Sequence, residues 1–202
     1  MGGTLALILL VVGGLLAVVI VASIVDTLLG RLVAAGRIDR PEIRISIVVE
    51  SPIGRAWEVI ADIDRQPEWM HEMKHVEMIT PPPIGVGSRG RATVRIFGIG
   101  TTDEVVITRF EPPRTFAIRH EGHFVGEGEI TLVALDRERT RVDWMEYLRP
   151  PLFGTLGGFL QRPILAAIFR SDLRSLRALL ADRKSTRLNS SHMSESRMPS
   201  SA

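Results

Sequence analysis

One stretch, Glu42 to Met70 (EIRISIVVESPIGRAWEVIADIDRQPEWM), constrains the fold more than any other. Ile43, Ile45, Ile47 and Val49 alternate with Arg44, Ser46, Val48 and Glu50, the period of a half-buried strand. Ser51-Pro52 then offers an N-cap oxygen and a residue preset for the first helical position. Ile53, Trp57, Ile60 and Ala61 recur at helical spacing, with Ala56 and Ile63 beside them, so one helix face is apolar. Pro67 lacks an N–H and restricts Gln66, so the helical pattern is expected to end there, before Glu68-Trp69-Met70.

Downstream, the sequence alternates again over Val76–Thr80, Arg91–Phe97, Thr102–Phe110, Thr115–His120, Val125–Leu135 and Arg141–Leu148. The connections are short and rich in turn residues, which means an antiparallel meander. With the first strand this predicts seven strands. Pro150-Pro151 breaks the last one, and Leu152 to Ala181 reads as a long helix. Leu165, Phe169, Leu173, Leu176 and Leu180 form its apolar stripe, while Arg170, Arg174 and Arg177 lie on another face. Gly154, Gly157 and Gly158 are expected to loosen its first turns.

The order strand, helix, six strands, long helix resembles the helix-grip fold of the START/Bet v1-like superfamily. The likeness is to its bacterial polyketide cyclase/dehydrase-like, or SRPBCC, branch. The residues that carry the resemblance are Ser51, Pro52, Ala56, Trp57, Asp62, Asp64, Pro67 and Trp69, and it extends from Pro41 to Ala181. It implies an α+β domain whose antiparallel sheet wraps the C-terminal helix. It also implies an apolar cavity for a hydrophobic molecule such as a lipid, polyketide or aromatic.

Thr4 to Val25 contains no charged residue. At about 1.5 Å per residue such a helix reaches about 30 Å, a bilayer core. No basic residue precedes it and the run is long, which favours a retained transmembrane helix over a cleaved signal peptide. Arg31, Arg37 and Arg40 follow closely, so the soluble part is expected on the cytoplasmic side of a bacterial inner membrane. Residues 26–40 read as a juxtamembrane linker with weak points at Gly30 and Gly36, and 41–181 as the ligand-binding domain.

Several patterns exclude other functions. His71-Glu72-Met73-Lys74-His75 spells HExxH, but a zinc protease needs that motif on a long helix with a third ligand. Pro67 upstream and a strand and Pro81-Pro82-Pro83 downstream leave no room for one. His120 and His123 are not brought to His71 and His75 by spacing, so no metal site is expected. No cofactor fingerprint appears, and with no cysteine there is no thiol chemistry. The tail 182–202 (DRKSTRLNSSHMSESRMPSSA) resembles a translated sequencing adapter and is set aside. The chain holds 25 basic and 23 acidic residues, of which the tail supplies four and two. The remainder balances, so charge gives no reason to expect nucleic-acid binding.

Strand parity groups the inward residues: Val94 with Ile96, Val105 with Ile107, Phe116 with Ile118, Ile130 with Leu132, Val142 with Trp144. The candidate ligand contacts are Trp69, Ile96, Ile107, Ile118, His120, Trp144, Phe159 and Ile164, with Trp69 and Phe159 near the mouth. By the same parity His120 and Glu146 face inward as polar handles. Strand ends fray, so the plain expectation places His120 in water and Glu146 near the rim. Two functions follow: a membrane-held carrier or sensor of hydrophobic molecules, or a cyclase/dehydratase using His120 or Glu146 as acid/base. A membrane adaptor that recruits a partner protein is a third.

Overall fold

The computed structural model describes residues 2–96 and 98–195, and the side chains of residues 3–96 and 98–182. Helix α1 spans Gly2–Ala34. It therefore runs through Gly30 and well into the expected linker. Gly36, at φ 65°, ends it. The N–H of Arg37 bonds the carbonyl of Leu32 and that of Gly36 the carbonyl of Val33, the paired bonds of a left-handed helix cap. From Gly3 to Ala34 the helix is long and apolar enough to cross a membrane, and that apolar window is unburied.

Strand β1 (Ile43–Val49) buries Ile43, Ile45 and Val49 and half-buries Ile47, the alternation the pattern requires. Helix α2 is short, Ile53–Ile60, and buries Ala56, Trp57, Val59 and Ile60. Its start differs from expectation. Pro52 is the cap residue and no side chain caps the helix. The Ser51 hydroxyl is not used for capping; the residue is buried, and its carbonyl accepts a hydrogen bond from Thr140 Oγ1 at 2.8 Å. Its end differs too: α2 stops at Ile60, and Pro67 lies inside a separate 3-10 turn, Ile63–Glu68. The tighter turn tolerates a proline because it is too short to lose many backbone bonds.

Strands β2 (Met73–Met78), β3 (Arg89–Ile96), β4 (Ile99–Glu111), β5 (Thr115–Glu121), β6 (Val125–Ala134) and β7 (Thr140–Arg149) complete the sheet. Its order is β1-β7-β6-β5-β4-β3-β2, with every neighbour antiparallel. The expected seven-stranded meander is therefore the observed one, closed by pairing the first strand with the last. HExxH falls on the turn before β2 and on β2 itself, with no helix beneath it.

Helix α3 runs Gly154–Glu195 across the concave face. Leu165, Leu173, Leu176 and Leu180 are buried in one core with Ile45, Ile107, Phe116, Ile130, Leu132 and Trp144. Burying a side chain of this size is worth about 1.5–3 kcal/mol, so this stripe holds the helix on the sheet. Gly157 and Gly158 do not loosen the helix; they let it approach. A Cβ on Gly157 would lie 2.6 Å from Pro150 Cγ, and one on Gly158 2.8 Å from Pro41 Cγ. The helix does not end at the expected Ala181: its backbone continues to Glu195, through residues 182–195 of the adapter-like tail, while the side chains after Asp182 and residues 196–202 lie outside the described residues.

The convex face is ionic. Arg89 bonds Glu104 and Glu121, Arg91 bonds Glu77, and Arg109 bonds Glu129. Exposed pairs of this kind contribute little stability but keep this face wet.

Candidate functional site

The candidate site is built on three adjacent strands. His120 of β5 pairs with Gly126 of β6, and Glu146 of β7 pairs with Gly128. Neighbouring strands lie about 4.8 Å apart, so β5 and β7 are too far apart for direct backbone contact. Two glycines on the intervening strand leave no side chain between them. His120 and Glu146 therefore meet over β6, with Nε2 and Oε1 2.8 Å apart. An ionised carboxylate only accepts, so His120 Nε2 carries the proton in this bond. The other carboxylate oxygen accepts from Trp144 Nε1 at 2.9 Å. Glu146 thus has both oxygens engaged.

Both groups are inside. Glu146 is 5 % exposed, and only a fifth of the His120 side chain reaches solvent. The expectation of a wet His120 and a rim Glu146 is overturned. Burial by itself lowers the pKa of His120. The hydrogen bond and charge of Glu146, with the charge of Asp103, outweigh it and hold the imidazole above its ordinary value. The result is a hydrogen-bonded imidazole–carboxyl pair set into an apolar wall, with the protonated form of His120 favoured. A buried charge pair is retained only where further hydrogen bonds complete it, and Trp144 supplies one.

Aromatic rings continue the wall. Trp144 stacks on Phe169 of α3 at 4.6 Å between centroids, and Trp69 meets Trp144 edge-on at 6.0 Å. Trp69 was expected near a mouth but is fully buried. Its Nε1 finds no acceptor among the described residues. Ile107 is buried, while Ile96 and Ile118 are half-buried against the core. Phe159 is half-buried on the first turns of α3. Ile164 departs from the expected set: it is 46 % exposed, on the outer side of α3.

The remaining histidines are dispersed. His71 sits beside Asp172 of α3, whose carboxylate accepts the His71 backbone N–H at 3.1 Å. His123 sits beside Asp103, its ring 3.1 Å from the carboxylate. An open hollow of about 500 Å³ is lined by the polar and charged residues Arg91, Thr102, Asp103, Glu104, Glu121 and His123. It lacks the apolar lining that a hydrophobic ligand needs.

The model of the polyketide cyclase / dehydrase and lipid transport family matches residues 40–181. The chain belongs to that family. Among solved structures, the Zhui aromatase/cyclase from a Streptomyces species is similar at 21 % identity and TM-score 0.57, covering 70 % of this chain and 94 % of that one. A START superfamily protein from Mycobacterium smegmatis is similar at 16 % identity and TM-score 0.55, covering 70 % and 97 %. A Thermus thermophilus protein is similar at 19 % identity and TM-score 0.59, covering 71 % and 99 %. No curated protein matches the sequence. The match begins at Arg40, so α1 stands outside the family fold.

Sequence parity had placed His120 and Glu146 on the same face as Ile118 and Trp144. It missed the part played by Gly126 and Gly128. The signal was available in Gly126-Glu127-Gly128-Glu129, because glycine inside a strand marks a close approach. Nothing in the spacing indicated that Gly128 makes room for a carboxylate, or that Gly126 lies against the backbone of Tyr147.

Proposed function

We propose that this family member binds a hydrophobic small molecule between the concave face of the sheet and α3, and that α1 holds it at a membrane. The binding reading is carried by one observation: a hydrogen-bonded His120–Glu146–Trp144 group, both carboxyl oxygens engaged, set into a wall that is otherwise aliphatic and aromatic. A pocket of that kind takes its affinity from the apolar wall and its orientation from the few polar atoms. Ile96, Ile107, Ile118, Trp144 and Phe159 would supply the wall, with Trp69 behind it. His120 would supply the handle, through the ring nitrogen that Glu146 leaves free. The membrane reading rests on the length and apolarity of α1, and the arginines after it favour a domain on the cytoplasmic side. A carrier or sensor placed there meets its ligand where that ligand partitions.

A second reading, a cyclase or dehydratase, draws on the same dyad. A protonated imidazole backed by a carboxylate is a competent acid, and its free nitrogen becomes a base once deprotonated. Variants separate the two. Native mass spectrometry of the full chain released from nanodiscs should show a bound apolar molecule in the wild type and in His120→Gln if the protein is a carrier. If it is an enzyme, His120→Gln and Glu146→Gln abolish turnover of a linear poly-β-ketone while binding persists. A wild-type chain that carries no apolar molecule and takes up none would remove both readings and leave the membrane adaptor.

A further inference from the structure

The joint between α1 and α3 is fixed by one side chain. Asp26 Oδ1 accepts the backbone N–H groups of Thr155 and Leu156, both at 2.8 Å. Those are first-turn donors of α3, which have no partner within their own helix. A carboxylate there also meets the positive end of the helix dipole. The fit is close on the other side as well: a Cβ on Gly30, one turn further along α1, would lie 3.4 Å from Thr155 Oγ1. The half-buried positions of α1 in this region are Ala22, Asp26, Leu29, Gly30 and Val33, a single face at helical spacing. This is a seated contact and not a flexible tether.

The position of Asp26 along the chain gives that contact a level. It is the first charged side chain after the uncharged run Thr4–Val25. If that run fills the hydrocarbon, Asp26 stands at its edge, and whatever Asp26 grips stands there too. The gripped segment is unusually apolar for a surface. Leu152 is 73 % exposed, Leu160 67 % and Ile164 46 %. Leu160 and Ile164 are one turn apart on the outer side of α3, and Leu152 lies in the turn that leads into it. Phe153 in that turn adopts φ 49°, a left-handed conformation that is costly for a bulky residue. The exposed Arg149, packed against Gly154, supplies a cation beside the patch. An apolar patch flanked by an arginine suits the boundary between acyl chains and anionic headgroups.

We infer that Asp26 clamps the start of α3 at the bilayer surface, so that Leu152, Leu160 and Ile164 enter the lipid boundary and Phe159 stands directly beneath it. This rests on the membrane reading of α1. Its consequence is that an apolar ligand passes between bilayer and domain at the α3 end without crossing water.

The chain has no cysteine, so single labels are clean. The full chain carrying NBD at Leu10→Cys, Leu152→Cys, Leu160→Cys or Arg137→Cys would be reconstituted into phosphatidylethanolamine/phosphatidylglycerol vesicles. Nitroxides would be placed either deep or shallow in the acyl region. The Leu10 label should be quenched by deep nitroxides. The Leu152 and Leu160 labels should be blue-shifted and quenched by shallow ones, and the Arg137 label, in the β6–β7 turn, by neither. Adding Asp26→Ala should abolish the shallow quenching and leave the Leu10 signal intact. An unquenched Leu10 label would overturn the membrane reading and this inference with it. A quenched Leu10 label with unquenched Leu152 and Leu160 would overturn this inference alone. Shallow quenching that survives Asp26→Ala would overturn the clamp.

Discussion

A Cβ placed on Gly128 would lie 2.5 Å from Glu146 Oε2. The carboxylate occupies the space that any other residue on β6 would fill. Gly128→Ala should therefore push Glu146 off either His120 or Trp144. Overpacking of this kind costs about 1–3 kcal/mol. The variant should melt lower than the wild type and lose affinity for an apolar fluorescent probe. Gly54→Ala in α2, where nothing lies within 4 Å, should leave probe binding unchanged and, by favouring the helix, should not lower the melt. Equal melts for Gly128→Ala and the wild type would mean that the carboxylate is free to move.

Asp172 supplies a second test, with the opposite logic. Burial pushes its carboxyl from the ordinary 3.8 up to about 6, against the hydrogen bond from His71 and with help from the charge of Glu72. A folded pKa above the unfolded one, for an acid, means that folding favours the protonated form. The cost of ionising it in place builds as pH rises from about 4 and is complete above about 6. Two pH units correspond to about 3 kcal/mol at most. Asp172→Asn keeps an acceptor for the His71 N–H and removes the charge. It should be more stable than the wild type at pH 7.5, and the gain should shrink steadily toward pH 4. Chemical denaturation at several pH values measures this. A gain that stays constant with pH would separate it from ionisation.

His120 works in a different window. Its folded pKa lies above the ordinary 6.5. The stability contributed by its pairing with Glu146 is fully present below that value and is lost as pH rises through the folded pKa. His120→Gln retains a donor for Glu146 but cannot titrate. The wild type should therefore lose stability relative to His120→Gln as pH rises above 6.5, above the window in which Asp172 acts. Parallel curves for the two proteins across that range would show that the pair does not hold a proton.

How much of this was legible in the residues follows from what kind of signal each feature leaves. Seven strands and a long helix were readable because burial on one face imposes a period, and β1 through β7 keep it. The inward position of His120 and Glu146 was readable by the same parity. Their contact was not, because it depends on register across three strands and on two glycines whose effect is the absence of atoms. The Ile60 terminus of α2 was hidden by Ile63, which continues the apolar spacing although the backbone has already turned. Asp26 was hidden because a cap that reaches 129 positions along the chain has no local pattern at all. Ile164 misled because an apolar residue on a helix reads as core, whereas its neighbours Leu165 and Ala166 take that place.

Phe159 and Phe169 sit ten positions apart on α3 and should respond differently to the same truncation. Phe169 stacks on Trp144 with an interplanar angle of 24° and packs against the core. Phe169 is itself only partly buried, so its removal should cost somewhat less than the ~3–5 kcal/mol of a fully packed aromatic ring. Phe159 is half-buried beside Gly157 and Gly158, where the backbone of α3 lies close against Pro150 and Pro41. Those contacts are made by the backbone and survive the loss of the ring. Phe159→Ala should therefore lower the melting temperature much less than Phe169→Ala. If Phe159 forms part of the ligand wall, its loss should still weaken binding of an apolar probe in proportion to the contact removed. Thermal melts and probe titrations on both variants decide the point. Equal and large stability losses would place Phe159 in the core, and a small loss with unchanged binding would place it outside the ligand's reach.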